Sequence, residues 1–499
     1  MSECSAPSSR VSLCMIAKNE QKNLRECLLP VAPLFHEIIV VDTGSTDATK
    51  SIARELGAQV HDFPWIDDFS AARNESLRHA SGDWIFWLDA DDRISPSNVL
   101  RLSSLFESLG TDLLAYMIDC RCPSSGAFQE TMIYPHPRLF RRHPNVRWQY
   151  RVHEQLTPAF AEVGYRCVST NIAIDHIGYA EEALVRRKIN RDLRLLRLDY
   201  LTYPDDPSVL LHLAQTHARI GEHQYALNYL LPLYQGEFPL DDWGRMLFNM
   251  LAETLNRLGR GDEAARVNDD GLRHFPYDLS LLHRRGVRQL LSGHLGEAEA
   301  TLKAVIAADD SRPTVTRHLD SAITKREARR SLGFLYTTLG DFETAETTLL
   351  ELVAEHPDFL EGQVTLASLY LGWNLIGRAG EIARRIDKTP MGRTLAKTID
   401  ADILLKQDRC DEALPLLHSA IGDAPKLLWP HWVLSRVHLR LGDFERSRRA
   451  LDEILRLNPG DPEATEELAK LERVRDERAE LAKAMSGSGE FVVSFHSQG

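Results

Sequence analysis

Long apolar runs are missing from this 499-residue chain, and so is any excess of positive charge. No uninterrupted apolar stretch approaches the length of about 20 residues needed to cross a bilayer, so no transmembrane segment is expected. Met1 to Arg10 lacks the apolar core of a secretory leader. The seven cysteines are odd in number and scattered, which argues against a disulfide framework. Cys120 and Cys122 have no second pair nearby and read as alternate residues of a strand rather than as zinc ligands. A formal charge of −13 speaks against general affinity for nucleic acid or anionic membrane. It leaves room for a small anionic substrate, which needs only a local basic or metal site. With 43% hydrophobic and 26% charged residues, the expectation is a soluble cytoplasmic protein of a reducing compartment, built from two or more domains.

What is present falls into two styles. The first two hundred residues alternate strand-like and helix-like runs. Val11 to Ala17, Glu37 to Asp42, Ala58 to Asp62 and Trp84 to Leu88 predict strands; Gln21 to Val31, a stretch from Ser45 or Thr46 to Leu56, and Phe69 to His79 predict helices. That alternation implies βαβ units, a parallel sheet and right-handed crossovers. Between Leu113 and Phe140 the pattern becomes strand-rich, with Ala115 to Cys120, Met132 to Tyr134 and Arg138 to Arg141 as candidates and Cys167 to Ile174 as a further one. This region is expected to add a mixed sheet where an acceptor is held.

From about residue 200 the chain becomes continuous helix with an internal repeat. Ala226, Ala264, Ala298, Ala345, Ala379, Ala413 and Ser447 form one column of small residues, the last three steps being 34 residues each. Twelve residues before each stands Ala214, Ala252, Gly286, Gly333, Ala367, Ala401 or Ser435, and Pro276, Pro357, Pro425 and Pro459 lie twelve residues after their column members. The 298-to-345 step is longer and leaves room for an insertion around Arg312 to Lys325. Small residues let antiparallel helices approach, and proline ends the second helix of a unit. The pattern resembles about seven tetratricopeptide repeats.

The stretch Trp84-Ile85-Phe86-Trp87-Leu88-Asp89-Ala90-Asp91-Asp92 organises the first domain. An apolar run buried on both faces stops on three acids at a strand end, where open α/β sheets bind ligands. Asp89 and Asp91 point the same way from an extended backbone and can share a divalent cation. The same acids also suit a loop that opens the next helix, with Ser95-Pro96 as its cap. The neighbours weigh on that choice. Val11 to Glu20, Asp42-Thr43-Gly44-Ser45-Thr46-Asp47, Ala72-Arg73-Asn74 and Asp89-Ala90-Asp91 occur in the order and spacing of family 2 glycosyltransferases. The domain therefore resembles a GT-A nucleotide-diphospho-sugar transferase, a Rossmann-like α/β fold, here followed by an all-α repeat solenoid. Arg138-Leu139-Phe140-Arg141, Val152-His153-Glu154 and Asp175 to Tyr179 resemble the second half of that family.

The resemblance implies roles. Ala17, Asn19 and Glu20 would line the nucleotide, and Asp42 would accept from base or ribose; a turn-capping aspartate is the other reading of Asp42. Arg73 would pair with the diphosphate and Asn74 with the nucleotide, unless both are ordinary helix-face residues. Asp91 would bind Mg²⁺ or Mn²⁺ directly, with Asp89 shared between metal and ribose and His176 completing the metal shell or serving structurally. Glu154 is the candidate base. Asp92 receives no role, and Lys188 and Arg191 read as a solvated face.

The implied function is inverting transfer of a sugar from a nucleotide-diphospho-sugar, a UDP-sugar by preference, to a protein or peptide acceptor engaged by the repeats. The repeats would alternatively hold a homodimer. A cell-envelope saccharide acceptor and a non-catalytic repeat scaffold are the alternatives. Sugar-nucleotide synthesis is disfavoured, because Lys18-Asn19-Glu20-Gln21 stands where a glycine- and arginine-rich loop belongs. The expected boundaries are a disordered 1–9, a transferase domain over 10–200, repeats over 201–461, a capping helix over 462–485 and a disordered tail over 486–499.

Overall fold

Continuous burial on both faces builds the central strands, whose side chains alternate between two apolar layers. In the computed structural model, which describes residues 9–123, 131–177, 182–238, 240–309 and 321–486, the chain opens with β1 (Val11–Ala17), α1 (Leu24–Leu28), β2 (Glu37–Asp42), α2 (Thr49–Glu55), β3 (Gln59–Asp62), α3 (Phe69–His79) and β4 (Trp84–Trp87). It continues through β5 (Asp92–Arg93), α4 (Pro96–Glu107), β6 (Leu114–Pro123), β7 (Thr131–Arg141), α5 (Thr157–Val163), β8 (Arg166–His176) and α6 (Glu182–Thr202). Trp84, Phe86 and Leu88 enter one apolar layer with Leu13, Met15, Val40 and Leu102. Ile85 and Trp87 enter the opposite layer with Cys14, Ile39, Phe140 and Phe160. Both faces of β4 are therefore covered, as an apolar run without alternation requires.

The eight strands form one sheet in the order β3-β2-β1-β4-β7-β6-β8-β5. β1 pairs in parallel with β2 and with β4, so the chain runs outward to β3 and then crosses back to the other side of β1. The C-terminal ends of β1, β2 and β4 thus flank a topological switch point, the place where such sheets bind ligands. β7 adds antiparallel to β4, and β6 antiparallel to β7, giving the mixed half anticipated from the strand-rich region.

Three local expectations are corrected. The Gln21–Val31 helix shrinks to α1, ending ahead of Pro30, and a 3₁₀ turn at Ala32–Leu34 that contains Pro33 follows. The helix after β2 begins at Thr49 rather than at a Ser45 or Thr46 cap, since Asp42 Oδ1 already accepts from the amides of Gly44 and Ser45 at 3.0 and 2.9 Å. The Met132–Tyr134 and Arg138–Arg141 candidates are one continuous strand, β7.

Among the described residues the α region contains seven helix pairs, from Pro207–Arg219 (α7) and His223–Gln235 (α8) to Leu428–Arg440 and Phe444–Leu457, and then a helix at Pro462–Ser486. Each pair turns on one residue of left-handed backbone: Gly221, Gly259, Gly293, Gly340, Asn374, Asp408 and Gly442. These are the residue types that tolerate that conformation. The predicted small-residue columns are buried where the helices of a pair meet. A Cβ added at Gly333 would stand 2.6 Å from Leu349 Cγ, and Ser435 and Ser447 hydroxyls meet at 2.9 Å.

The chain divides into two compact units. One holds the sheet and, beyond the expected boundary at 200, the described residues up to Met250; the other holds most of the remaining repeats. The expected insertion, the Gly178-Tyr179 end of the last motif and the two terminal tails lie largely outside the described residues. Among the described residues no helix is long and apolar enough to cross a membrane.

Candidate functional site

The motifs singled out in the sequence meet at the switch point. Asp42, the last residue of β2, is 1% exposed. Its Oδ1 closes the Gly44–Ser45 turn, and its buried Oδ2 has no hydrogen-bond partner among the described residues. A buried carboxylate oxygen without a donor is costly unless a ligand supplies one. Beside it, the carbonyl of Ala17 accepts from the Thr43 amide at 2.9 Å. Asn19 has left-handed backbone (φ 58°); its amide donates to Ser45 Oγ, and its Oδ1 accepts from the Thr46 amide at 2.8 Å. Asn19 therefore ties the β1 and β2 loops together. Glu20 accepts from Asn23 Nδ2 at 2.9 Å. Burial, reinforced by the nearby carboxylates of Asp91 and Asp47 against Asn23 and Lys188, pushes its carboxyl up.

Arg73 is the centre of the second cluster. It is 7% exposed, yet it is no loose cation waiting for a diphosphate. Its Nε donates to Glu154 Oε1 at 2.6 Å and its Nη2 to Asp89 Oδ1 at 2.8 Å, while the guanidinium lies 4.6 Å from the Trp87 ring centroid and 5.1 Å from that of Trp148. Asn74, one residue on, uses both ends of its amide on the backbone of Trp148, at 2.9 and 2.8 Å. The expected nucleotide contacts of Arg73 and Asn74 would compete with these bonds. As placed, the two side chains build the site wall.

The acids after β4 differ from one another. Burial acts to raise the Asp89 carboxyl, but Arg73, Arg138 and His176 hold it well below the usual carboxylate range. Asp91 goes the other way: burial raises it, with Asp89 and Asp92 adding to the rise and His176 opposing. Asp92, without a role in the sequence reading, is fully buried. Its Oδ2 accepts from Arg138 Nη1 and from the Asp89 amide, both at 2.8 Å, and its Oδ1 lies 2.9 Å from His176 Nδ1. Burial pulls the His176 ring down, but the hydrogen bond to Asp92 and the charges of Asp91, Asp92 and Asp89 lift it to about 9.

The metal-ligand types that converge are Asp89, Asp92 and His176, with one candidate ligand atom from each lying within 4.8 Å of the others. Asp91 Oδ1 stands 3.4 Å from His176 Nδ1. Asp89, Asp92 and Glu154 pair with the two guanidiniums Arg73 and Arg138, and Asp91, the fourth carboxylate, lies against His176. Four negative against two positive leaves an excess of two negative charges before His176 is counted. Hard oxygen donors with one imidazole and that excess fit Mg²⁺ or Mn²⁺.

Sequence reasoning missed Asp92 as a site member because neither β5 nor its pairing with the end of the Cys167–Ile174 strand was foreseen. The two-residue β5 pairs with the end of β8 and sets Asp92 opposite His176. It also left Arg138 without a role, although an arginine inside an apolar strand is a signal, since a buried cation requires an acid. Arg138 is buried 3.6 Å from the Trp87 ring centroid. Cys120 and Cys122 are alternate residues of β6, as read, with their sulfurs 3.9 Å apart.

Residues 12–164 match the family model described as glycosyl transferase family 2, and residues 249–267 and 404–471 match models described as tetratricopeptide repeat. The chain thus carries a family 2 glycosyltransferase domain joined to tetratricopeptide repeats. It is 32% identical over 232 residues to a TPR repeat-containing protein of Synechococcus elongatus, covering 45% of this chain and 56% of that one. It is 28% identical over 230 residues to the SPbeta prophage-derived glycosyltransferase SunS of Bacillus subtilis, covering 43% of this chain and 51% of that one. Among solved structures it is similar to glucosyl-3-phosphoglycerate synthase from Mycobacterium tuberculosis in complex with Mn²⁺, UDP-glucose and phosphoglyceric acid, at 26% identity over 22% of this chain and 43% of that one, with a TM-score of 0.19. The matched region spans about half the length of the two curated relatives.

Proposed function

We propose that this protein is a metal-dependent, inverting glycosyltransferase that moves a sugar from a UDP-sugar to a protein or peptide acceptor engaged by the repeats. The observation that carries the reading is the guanidinium of Arg73 held between Asp89 and Glu154. It ties a donor-side acid and a candidate base to one guanidinium, in a sheet whose β2 ends on Asp42, whose Oδ2 has no hydrogen-bond partner among the described residues.

In this reading Asp42 Oδ2 accepts a hydrogen bond from the nucleoside. Asp89, Asp92 and His176, with Asp91 beside them, would hold Mg²⁺ or Mn²⁺. Such an ion, when bound, supplies Lewis-acid stabilisation of the charge on the departing nucleotide. Glu154 takes the proton from the acceptor atom as that atom bonds to the anomeric carbon. The anomeric C–O bond breaks, and its electron pair leaves with the nucleoside diphosphate. Arg73 fixes Oε1 of Glu154, which leaves the other oxygen to receive the proton. Tetratricopeptide arrays present extended surfaces suited to peptides, which supports a peptide acceptor.

The test is nucleoside diphosphate release from a panel of UDP-sugars with Mn²⁺, with and without chelator. Release that requires metal and is lost in Glu154→Gln supports the proposal. No release, together with no metal-dependent thermal shift by UDP, would leave the scaffold reading in its place.

A further inference from the structure

Glu154 sits in a loop that α6 and α7 hold through most of its other members, while the Arg151 carbonyl also accepts from the Phe69 amide at 2.9 Å at the start of α3. The amides and carbonyls of Gln149 and Gln155 exchange hydrogen bonds at 3.0 and 3.1 Å and close the loop at its base. Within it, Tyr150 (φ 70°) and His153 (φ 54°) adopt left-handed backbone although neither is glycine. Such residues cost about 1–3 kcal/mol each and persist only where the surroundings enforce them.

The enforcing groups come from α6 and α7. Asp199 Oδ2 accepts from the Arg151 amide at 2.9 Å. Asp206 caps α7 through Oδ1 and accepts from the Tyr150 hydroxyl through Oδ2 at 2.9 Å. Gln155 Nε2 donates to Ser208 Oγ at 2.8 Å. Val152 is buried among Leu195, Leu196, Val209 and Leu213. The His153 ring stacks on that of His212 with centroids 4.3 Å apart and planes 6° from parallel. The Glu154 side chain instead reaches Arg73 of α3.

We infer that α6 and α7 belong to the catalytic apparatus, with Asp199 and Asp206 as positioning residues that clamp loop 149–155 and so aim Glu154. The inference rests on Glu154 being the base. Packing of adjacent segments alone does not call for a buried carboxylate such as Asp199, since removing that charge from water is costly. A carboxylate that fixes a backbone amide does call for it. Burial, offset in part by the amide hydrogen bond from Arg151, pushes the Asp199 carboxyl up to about 6, a strain in keeping with a held loop.

The experiment uses the full-length chain and four variants: Asp199→Ala, Asp199→Asn, Tyr150→Phe and Glu154→Gln. The readouts are kcat and KM for UDP release from the most readily hydrolysed UDP-sugar with Mn²⁺, UDP affinity by calorimetry, and amide exchange over 149–155. Asp199→Ala is expected to lower kcat about tenfold to a hundredfold, with KM and UDP affinity within about twofold and exchange accelerated. Asp199→Asn, which keeps the acceptor oxygen, should recover most of kcat. Tyr150→Phe removes one hydroxyl tie and should show the same signature more weakly, which keeps the test open if Asp199→Ala fails to fold. Faster exchange with unchanged kcat would overturn the inference, and so would a joint loss of kcat, KM and UDP affinity. If Glu154→Gln turns over normally, the assignment of the base fails. If Glu154→Gln is inactive while Asp199→Ala and Tyr150→Phe are not impaired, only the clamp fails.

Discussion

Asp92 and His176 are Cα partners across the β5–β8 ladder, and their side chains meet at 2.9 Å between Oδ1 and Nδ1. Two bonded residues of β5 therefore set the position of an imidazole that arrives more than eighty positions later in the chain. Without that register, His176 would not reach the acids after β4.

Asp92→Ala is expected to destabilise the protein by about 3 kcal/mol, because it removes the hydrogen-bonded partner of the buried Arg138 and leaves it only Asp89, 3.8 Å away. Asp92→Asn keeps a polar partner and should cost less. Both should weaken Mn²⁺-dependent UDP binding. Denaturant titration measures the first effect and calorimetry the second; an Asp92→Ala protein of wild-type stability would contradict the ion pair with Arg138.

Asp42→Asn retains an oxygen for the Gly44 and Ser45 amides and replaces the unpartnered Oδ2 by a donor. Nucleotide affinity should fall by about 1–3 kcal/mol, the cost of one unsatisfied buried contact, with little loss of stability. Undiminished UDP binding would remove Asp42 from the nucleoside site.

Asp199 supplies a pH-dependent term. Its folded-state pKa is raised to about 6 from 3.8, burial being the leading cause. Its favourable contribution is therefore fully present below the unfolded value and is lost as pH rises through about 6. Asp199→Asn lacks this term. The stability of the wild type relative to Asp199→Asn should decline between pH 4 and pH 7, read from urea midpoints of both proteins. A constant difference would mean that Asp199 titrates normally.

Two repeat glycines should respond differently to Ala. An added Cβ at Gly333 would lie 2.5 Å from Leu349 Cδ2 and 2.6 Å from Cγ, whereas at Gly286 the closest approach, to Leu302, is 2.9 Å. The Ala substitution gains about 1 kcal/mol of helix propensity in each case, set against an overpacking cost of about 1–3 kcal/mol. Gly333→Ala should be net destabilising and Gly286→Ala close to neutral in thermal unfolding.

Most of the architecture was legible because it rests on local periodicity. β1, β2 and α3 have the limits their apolar spacing gave, and the 34-residue columns of small residues sit between paired helices. The site was legible as a set of positions, since the strand ends at Ala17, Asp42 and Asp89 follow from the same runs. The contacts were not. That Asn74 clamps the Trp148 backbone, that Arg73 joins Asp89 to Glu154 and that Asp92 meets Arg138 depend on strand pairings and loop packing across 16 to 81 positions. No local pattern encodes those. The reach of the first compact unit beyond residue 200 has the same origin: Tyr150, Arg151 and Gln155 bond to residues about fifty positions on.

One guanidinium serves both Asp89 and Glu154, and this restricts how the site can decay over evolutionary time. A change at Arg73 frees two carboxylates at once and disturbs donor side and base together. A lineage that gave up turnover while still holding its nucleotide would therefore be expected to change Glu154 first and to keep Arg73 for the sake of Asp89. Among proteins of this architecture, an intact arginine beside a missing glutamate would be the signature of an enzyme turned receptor.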